Sequence, residues 1–149
     1  MTIDEIFEQW DKDSEIDRTE LGSEALNISK LHNKYYKFYV NEKMKLIQME
    51  SDLKQISSIR HDFYSGAIDD DTLREMGWVE EFQEVGRKRI LKTEVPRYLE
   101  SDKLIIGKIL RVAAQKEKVA LLDSIIKSFV NRGFNIKAAV EWSKFQVGA

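Results

Sequence analysis

A seam in alternating steps of four and three runs through residues 21–66: Leu21, Ala25, Ile28, His32, Tyr35, Tyr39, Glu42, Leu46, Met49, Leu53, Ile56, Arg60 and Phe63. Such spacing keeps one face of a helix turned toward a partner, and neither proline nor glycine falls between Gly22 and Gly66, so the pattern predicts one long helix. Drawn straight, that helix would span about 69 Å at roughly 1.5 Å per residue, whereas a compact globule of this chain length is roughly 40 Å across. It must therefore bend or find partners beyond its own globule. His32 and Glu42 interrupt the seam, and Asn41 beside Glu42 marks the expected bend.

Shorter patterns flank it. Residues 2–10 predict an amphipathic helix with Ile3, Ile6, Phe7 and Trp10 on one face and Thr2 and Glu5 in capping-box spacing. Residues 11–18 carry no apolar period and read as a linker, with Asp17 or Thr19 as cap and Ile16 as staple of the long helix. Gly66 suits a left-handed cap at its end. Residues 69–71, three aspartates in a row, precede Thr72, Leu73 and Arg74 as acids precede a helix N-terminus, and Gly77 with Trp78 stops that short helix. Residues 79–99 have weak periodicity. Ile90, Thr93, Val95 and Tyr98 are β-permissive and Val95 precedes Pro96, so a short β-hairpin or an extended arm is expected there. Ser101 or Asp102 then caps a second long helix with Ile105, Ile109, Val112, Val119, Leu122, Ile126 and Phe129 on its stripe and Lys116 as an interruption. Arg132 and Gly133 are expected to close it, and Asn135 to cap a last helix carrying Ile136, Ala139, Val140, Trp142 and Phe145. The fold class is mainly α. It is expected as one domain over residues 1–149, with a long-helix part (1–66), a middle (67–101) and C-terminal helices (102–149).

Composition narrows the chemistry. The chain has no cysteine and two histidines, His32 and His61, which leaves no thiol chemistry and little for a transition metal, and no cofactor is expected. An acidic N-terminus and the lack of any apolar run approaching 18 residues point to a soluble intracellular protein. Gly-rich phosphate loops and any nucleophile–base spacing are missing, so catalysis is not expected. A nuclease built on Asp69, Asp70, Asp71 and Glu75 would lack a lysine or histidine at a useful spacing. Net charge is −2, but it is sorted: residues 1–29 carry −7, 30–66 carry +3, 67–82 carry −5, 83–99 carry +3 and 100–149 carry +4. Local positive faces are thus available for phosphate.

Three groups of residues stand out. In residues 30–39 lysines alternate with aromatics, which offers stacking faces beside phosphate-seeking charge, although helical spacing alone produces the same pattern. Arg60 occupies a seam position and needs an anion. Asp62 points elsewhere, which leaves a carboxylate of another subunit or a nucleic-acid phosphate. Ile126, Phe129, Phe134, Trp142 and Phe145 offer more apolar surface near the C-terminus than a small monomer covers, and are expected to oligomerise the chain.

Ile16-Asp17, Thr19, Leu21, Glu24-Ala25, Lys34, Lys43, Glu50, Lys54 and the run Arg60-His61-Asp62-Phe63-Tyr64-Ser65-Gly66 resemble the UvsY family of recombination mediators of T4-like phages. The likeness resumes at residues 132–137 and in a similar tail at residues 145–148. It implies a non-catalytic protein of the infected host cytoplasm that binds single-stranded DNA as a homo-oligomeric ring of about six or seven subunits. Such a protein helps to displace the phage single-strand-binding protein and loads the phage recombinase. The family carries a Leu-Lys-Ala-Arg motif tied to DNA binding where this chain reads Ser57-Ser58-Ile59-Arg60. Arg60 carries over and the lysine does not, so phosphate contacts are expected from Lys43, Lys54, Arg60, Arg87, Lys88 and Arg89. A helical scaffold that binds only proteins is the competing expectation.

Overall fold

The computed structural model describes residues 1–148, and every regular element among them is helical. In chain order these are α1 (Ile3–Asp13), α2 (Leu21–Ser65), α3 (Asp70–Met76), α4 (Val79–Arg87), a 3-10 turn (Lys92–Glu94), α5 (Val95–Glu100) and α6 (Lys103–Gln146). None of the helices is long and apolar enough to cross a membrane. The chain forms two compact units: unit 1 takes Met1–Lys45 and the C-terminal stretch from Gln115, and unit 2 takes Leu46–Ala114.

In unit 1, α1 begins at a reciprocal cap. The Thr2 hydroxyl accepts from the Glu5 N–H at 3.2 Å, and the Glu5 carboxylate accepts from the Thr2 N–H at 2.8 Å. The helix extends to Asp13, past the expected linker start, and only Ile6 of its four apolar residues is fully buried. Asp17 does not cap α2. Its carboxylate accepts from the N–H and hydroxyl of Thr19 at 2.9 and 2.6 Å and so shapes the turn that leads in. The core is Ile6, Leu31, Tyr35, Leu122, Ile125 and Phe129, with Trp10 edge-on to Tyr35 and Phe129 at 5.4 and 5.7 Å. Leu31, one residue before His32, takes the buried place, and His32 faces solvent. Helix α2 runs unbroken through Asn41 and Glu42, where a bend was expected. Buried Glu42 is satisfied in place, its carboxylate accepting from the Gln115 amide at 2.8 Å, so the helix has no polar orphan to turn outward.

Helix α6 also departs from expectation, because it continues through Arg132, Gly133 and Asn135. Gly133 lies in helical conformation, which costs only about 1 kcal/mol relative to alanine. The buried Arg132 donates to the carbonyls of Ser14 and Glu15 at 3.0 and 3.2 Å and to the Glu24 carboxylate at 3.1 Å, which ties the helix down where a stop was expected. The seam passes through Gln115 rather than Lys116.

In unit 2, Gly66 and Gly77 adopt the left-handed conformation (φ +81° and +72°) that ends α2 and α3, and the Asp69 carboxylate caps α3 by accepting from the Thr72 N–H at 2.6 Å. The hairpin or arm expected over residues 79–99 is instead α4, the 3-10 turn and α5. Pro96 sits in the first turn of α5, where its missing N–H has no helical partner to lose, and buried Val95 anchors the segment.

Candidate nucleic-acid interface

Arg60 is the most constrained cation of unit 2. Its side chain is 5% exposed, and it meets carboxylates of its own chain rather than those of another subunit. Nε and Nη2 lie 2.8 and 2.6 Å from Asp102 Oδ2, Nη2 also lies 2.9 Å from Glu81 Oε1, and Nη1 reaches Glu81 Oε2 at 3.4 Å. The Tyr64 hydroxyl accepts from Nη2 at 3.0 Å and donates to Asp102 at 2.5 Å. Rings enclose the guanidinium, with Phe63 at 4.1 Å, Trp78 at 4.7 Å and Tyr64 at 5.0 Å. The other oxygen of Asp102 accepts from the Ile105 N–H at 2.9 Å and caps α6.

The electrostatics follow from this geometry. Burial alone would depress the Arg60 pKa, but hydrogen bonds to Glu81 and Asp102 outweigh it and hold the charge more firmly than usual. Burial would likewise raise Asp102, yet donation by Tyr64, the Ile105 N–H and Arg60 keeps it below the ordinary carboxylate range. Tyr64 is pushed up to about 12, chiefly by burial and then by its bond to Asp102. The network joins α2, α4 and α6 within the unit and leaves Arg60 no free face for a phosphate.

The remaining expected cations are placed differently. Lys43 on α2 in unit 1, and Lys54, Arg87, Lys88 and Arg89 in unit 2, are all exposed and form no ion pair with described residues. Residues 87–89 cluster at the C-terminus of α4, an end whose dipole favours cations without any ligand. Arg89, however, holds φ +50°, a left-handed backbone that suits glycine. An arginine there carries a backbone cost of roughly 1–2 kcal/mol.

The five expected oligomerisation residues also divide. Phe129 lies in the unit 1 core, and Ile126, partly buried, packs against it. Phe134, Trp142 and Phe145 are 67%, 59% and 71% exposed, and Trp142 stacks on Phe145 at 5.6 Å. With Ala138 and Glu141, the last two line an open groove of about 350 Å³.

Spacing alone missed Asp102, Glu81 and Gln115 as partners of the seam charges. Asp102 had been visible only as a cap. The available signal was that each long helix places a polar residue on its seam, so that each such residue calls for a counterpart.

These features define a class: a protein, helical throughout its described residues, whose two long helices run antiparallel within unit 1, Glu42 facing Gln115 and Glu24 facing Arg132, with exposed cations that form no ion pair among described residues and an apolar C-terminal face. A family model described as "Recombination, repair and ssDNA binding protein UvsY" matches residues 9–149, and the chain belongs to the UvsY family. The recombination protein uvsY of Enterobacteria phage T4 is 26% identical over 152 residues, which cover 99% of each chain. Two crystal structures of the bacteriophage T4 recombination mediator protein UvsY share the fold. In one lattice the TM-score is 0.77 at 22% identity, covering 98% of this chain and 99% of that one. In another it is 0.77 at 22%, covering 99% and 98%.

Proposed function

We propose that this chain is a recombination mediator that binds single-stranded DNA as a homo-oligomer, displaces a single-strand-binding protein from it and loads a recombinase. The observation that carries this reading is that Lys43, Lys54, Arg87, Lys88 and Arg89 are exposed and form no ion pair among described residues, in a chain of net charge −2. Unpaired surface cations attract phosphate without reading sequence, and a few per subunit bind weakly. Tight binding then comes from several subunits engaging one strand, for which Phe134, Trp142 and Phe145 supply an apolar face. Arg60 acts as a positioning residue that fixes α4 and, through it, the basic cluster at its end.

The test is oligonucleotide binding by anisotropy across a salt series, with the solution mass measured in parallel. Each lost phosphate contact should flatten the log–log slope by about 0.7, so replacing Arg87, Lys88 and Arg89 by alanine should flatten it by about 2 for each engaged subunit. Replacing Phe134, Trp142 and Phe145 by serine should lower the mass toward monomer and weaken binding together. Unchanged affinity and slope in the triple alanine variant would favour a helical scaffold that binds only proteins. Single-strand-binding protein displacement and recombinase loading are read as faster filament assembly on coated DNA, which both variants should slow.

A further inference from the structure

We propose a second contact with the strand, resting on the single-stranded DNA reading above: a nucleobase-stacking face on α2 in unit 1, made by His32, Tyr36 and Tyr39 and followed along the same face by Lys43. His32 and Tyr36 lie nearly parallel, with ring centroids 5.9 Å apart and planes at 9°, and Tyr36 and Tyr39 continue the series at 6.1 Å and 26°. Tyr36 is 49% exposed. His32 is exposed too, and its plane is braced by Phe129 of the core at 6.0 Å. A large flat ring, half exposed on a rigid helix beside two rings that fix its attitude, offers aromatic surface at low entropic cost. Bases stack on such faces regardless of sequence.

Charge distinguishes this face from the apolar one near the C-terminus. Residues 25–41 contain no aspartate or glutamate, and they carry Lys30, Lys34 and Lys37. Lys34 is taken by Asp13 at 2.6 Å, but Lys30 and Lys37 are exposed without an ion-pair partner among described residues, as is Lys43, two turns beyond Tyr36. On α6, Lys127 lies within electrostatic reach of Tyr39 and is paired with Asp123 at 2.8 Å. The Trp142 and Phe145 stack, by contrast, shares its groove with Glu141, whose carboxylate repels phosphate. Rings flanked by free lysines fit a polyanion with flat bases, and rings beside an acid fit a protein neighbour.

The two contacts separate by what they recognise. Phosphate contacts are present in an abasic strand, whereas stacking requires the bases. The wild-type protein should bind an oligothymidine at least tenfold more tightly than an abasic oligonucleotide of equal length. Tyr36→Ala should weaken oligothymidine binding on the order of tenfold, leave abasic binding and the salt slope unchanged, and so close most of the gap. Tyr36→Phe, which keeps the ring, should retain it. Solution mass and thermal melting of Tyr36→Ala are measured alongside and should match wild type. The inference is overturned if Tyr36→Ala keeps the wild-type preference for bases. It is also overturned if that variant loses the oligomer, since the face would then be a contact between copies. If the wild-type protein binds neither oligonucleotide, the DNA-binding reading itself falls. If it binds both and Tyr36→Ala changes nothing, only the stacking face falls.

Discussion

Helix α2 buries one charge in each unit, and the two are accommodated in different ways. In unit 1 Glu42 is 2% exposed and is met by the neutral amide of Gln115, which donates to its backbone carbonyl at 2.9 Å and its carboxylate at 2.8 Å. Lys45 and Lys118 approach to 3.4 and 3.7 Å. Burial would raise the Glu42 pKa, but these groups hold it below the ordinary range. In unit 2 Arg60 is met by two carboxylates, a hydroxyl and three rings. A carboxylate is content with donors from several directions, whereas a guanidinium is a planar fork that needs flat partners in fixed places. Glu42 therefore decorates an interface that Tyr35, Leu122 and Phe129 already hold, while Arg60 organises the interface of its own unit.

Removing each charge is the strongest way to break that comparison. Arg60→Ala leaves Asp102 buried and unpaired, a loss of about 3–5 kcal/mol to unit 2. Glu42→Ala removes one of the two acceptors of the Gln115 amide, keeps the residue 42 backbone carbonyl as the other, and frees lysines that can turn to water, a loss of about 1–3 kcal/mol to unit 1. Denaturant unfolding followed at Trp78, which lies 4.7 Å from Arg60, and at Trp10, which packs on Tyr35, reports the two units separately in single-tryptophan backgrounds. Equal losses would dissolve the distinction. Arg60→Ala should also weaken DNA binding, and the loss should track the melting of unit 2 rather than a change in salt slope.

Acid sharpens the same contrast. Asp102 and Glu42 both have folded pKa values below their ordinary 3.8 and 4.5, so each contributes stability that is present above those values and lost as pH falls through the folded ones. Stability should thus decline below about pH 4 in both units. Asp102→Asn should remove the part of that decline seen at Trp78 and leave the part seen at Trp10. Tyr64 runs the other way. Its neutral form is favoured in the fold, so its contribution is present below pH 10 and fades as pH rises through about 12.

The helices were legible where their causes are local. Thr2 with Glu5, Gly66, Asp69 and Gly77 act on neighbours within a turn, and the start of α1, the end of α2 and both ends of α3 follow from them. Where a distant contact decides, sequence misled. Gly133 resembles a stop until Arg132 is seen bound to Ser14, Glu15 and Glu24. Residues 79–99 read as β because Ile90, Thr93 and Val95 favour strands, yet burial of Val95 and the tolerance of α5 for Pro96 in its first turn prevail. The candidate site follows the same rule. Charge blocks revealed the cations, but not that Arg60 is internally neutralised while Arg87, Lys88 and Arg89 form no ion pair among described residues.

The smallest expected effect tests whether the basic end of α4 in unit 2 is kept for binding at the expense of stability. The unit has three residues with left-handed backbones: Gly66 and Gly77, which suit them, and Arg89, at φ +50°, which does not. Arg89 has an exposed side chain, and its N–H makes only a long bond of 3.4 Å to the Gly86 carbonyl. Arg89→Gly relieves the backbone and gives back part of the gain through the entropy of the unfolded chain, so unit 2 should gain up to about 1 kcal/mol. The same change removes a cation and should flatten the DNA salt slope by about 0.7 for each engaged subunit. Arg89→Ala should flatten the slope equally without the gain, because alanine keeps the Cβ that strains the turn. A destabilised Arg89→Gly would mean that the side chain supports the fold, and an unchanged slope in both variants would leave residues 87 and 88 as the contacts of this cluster.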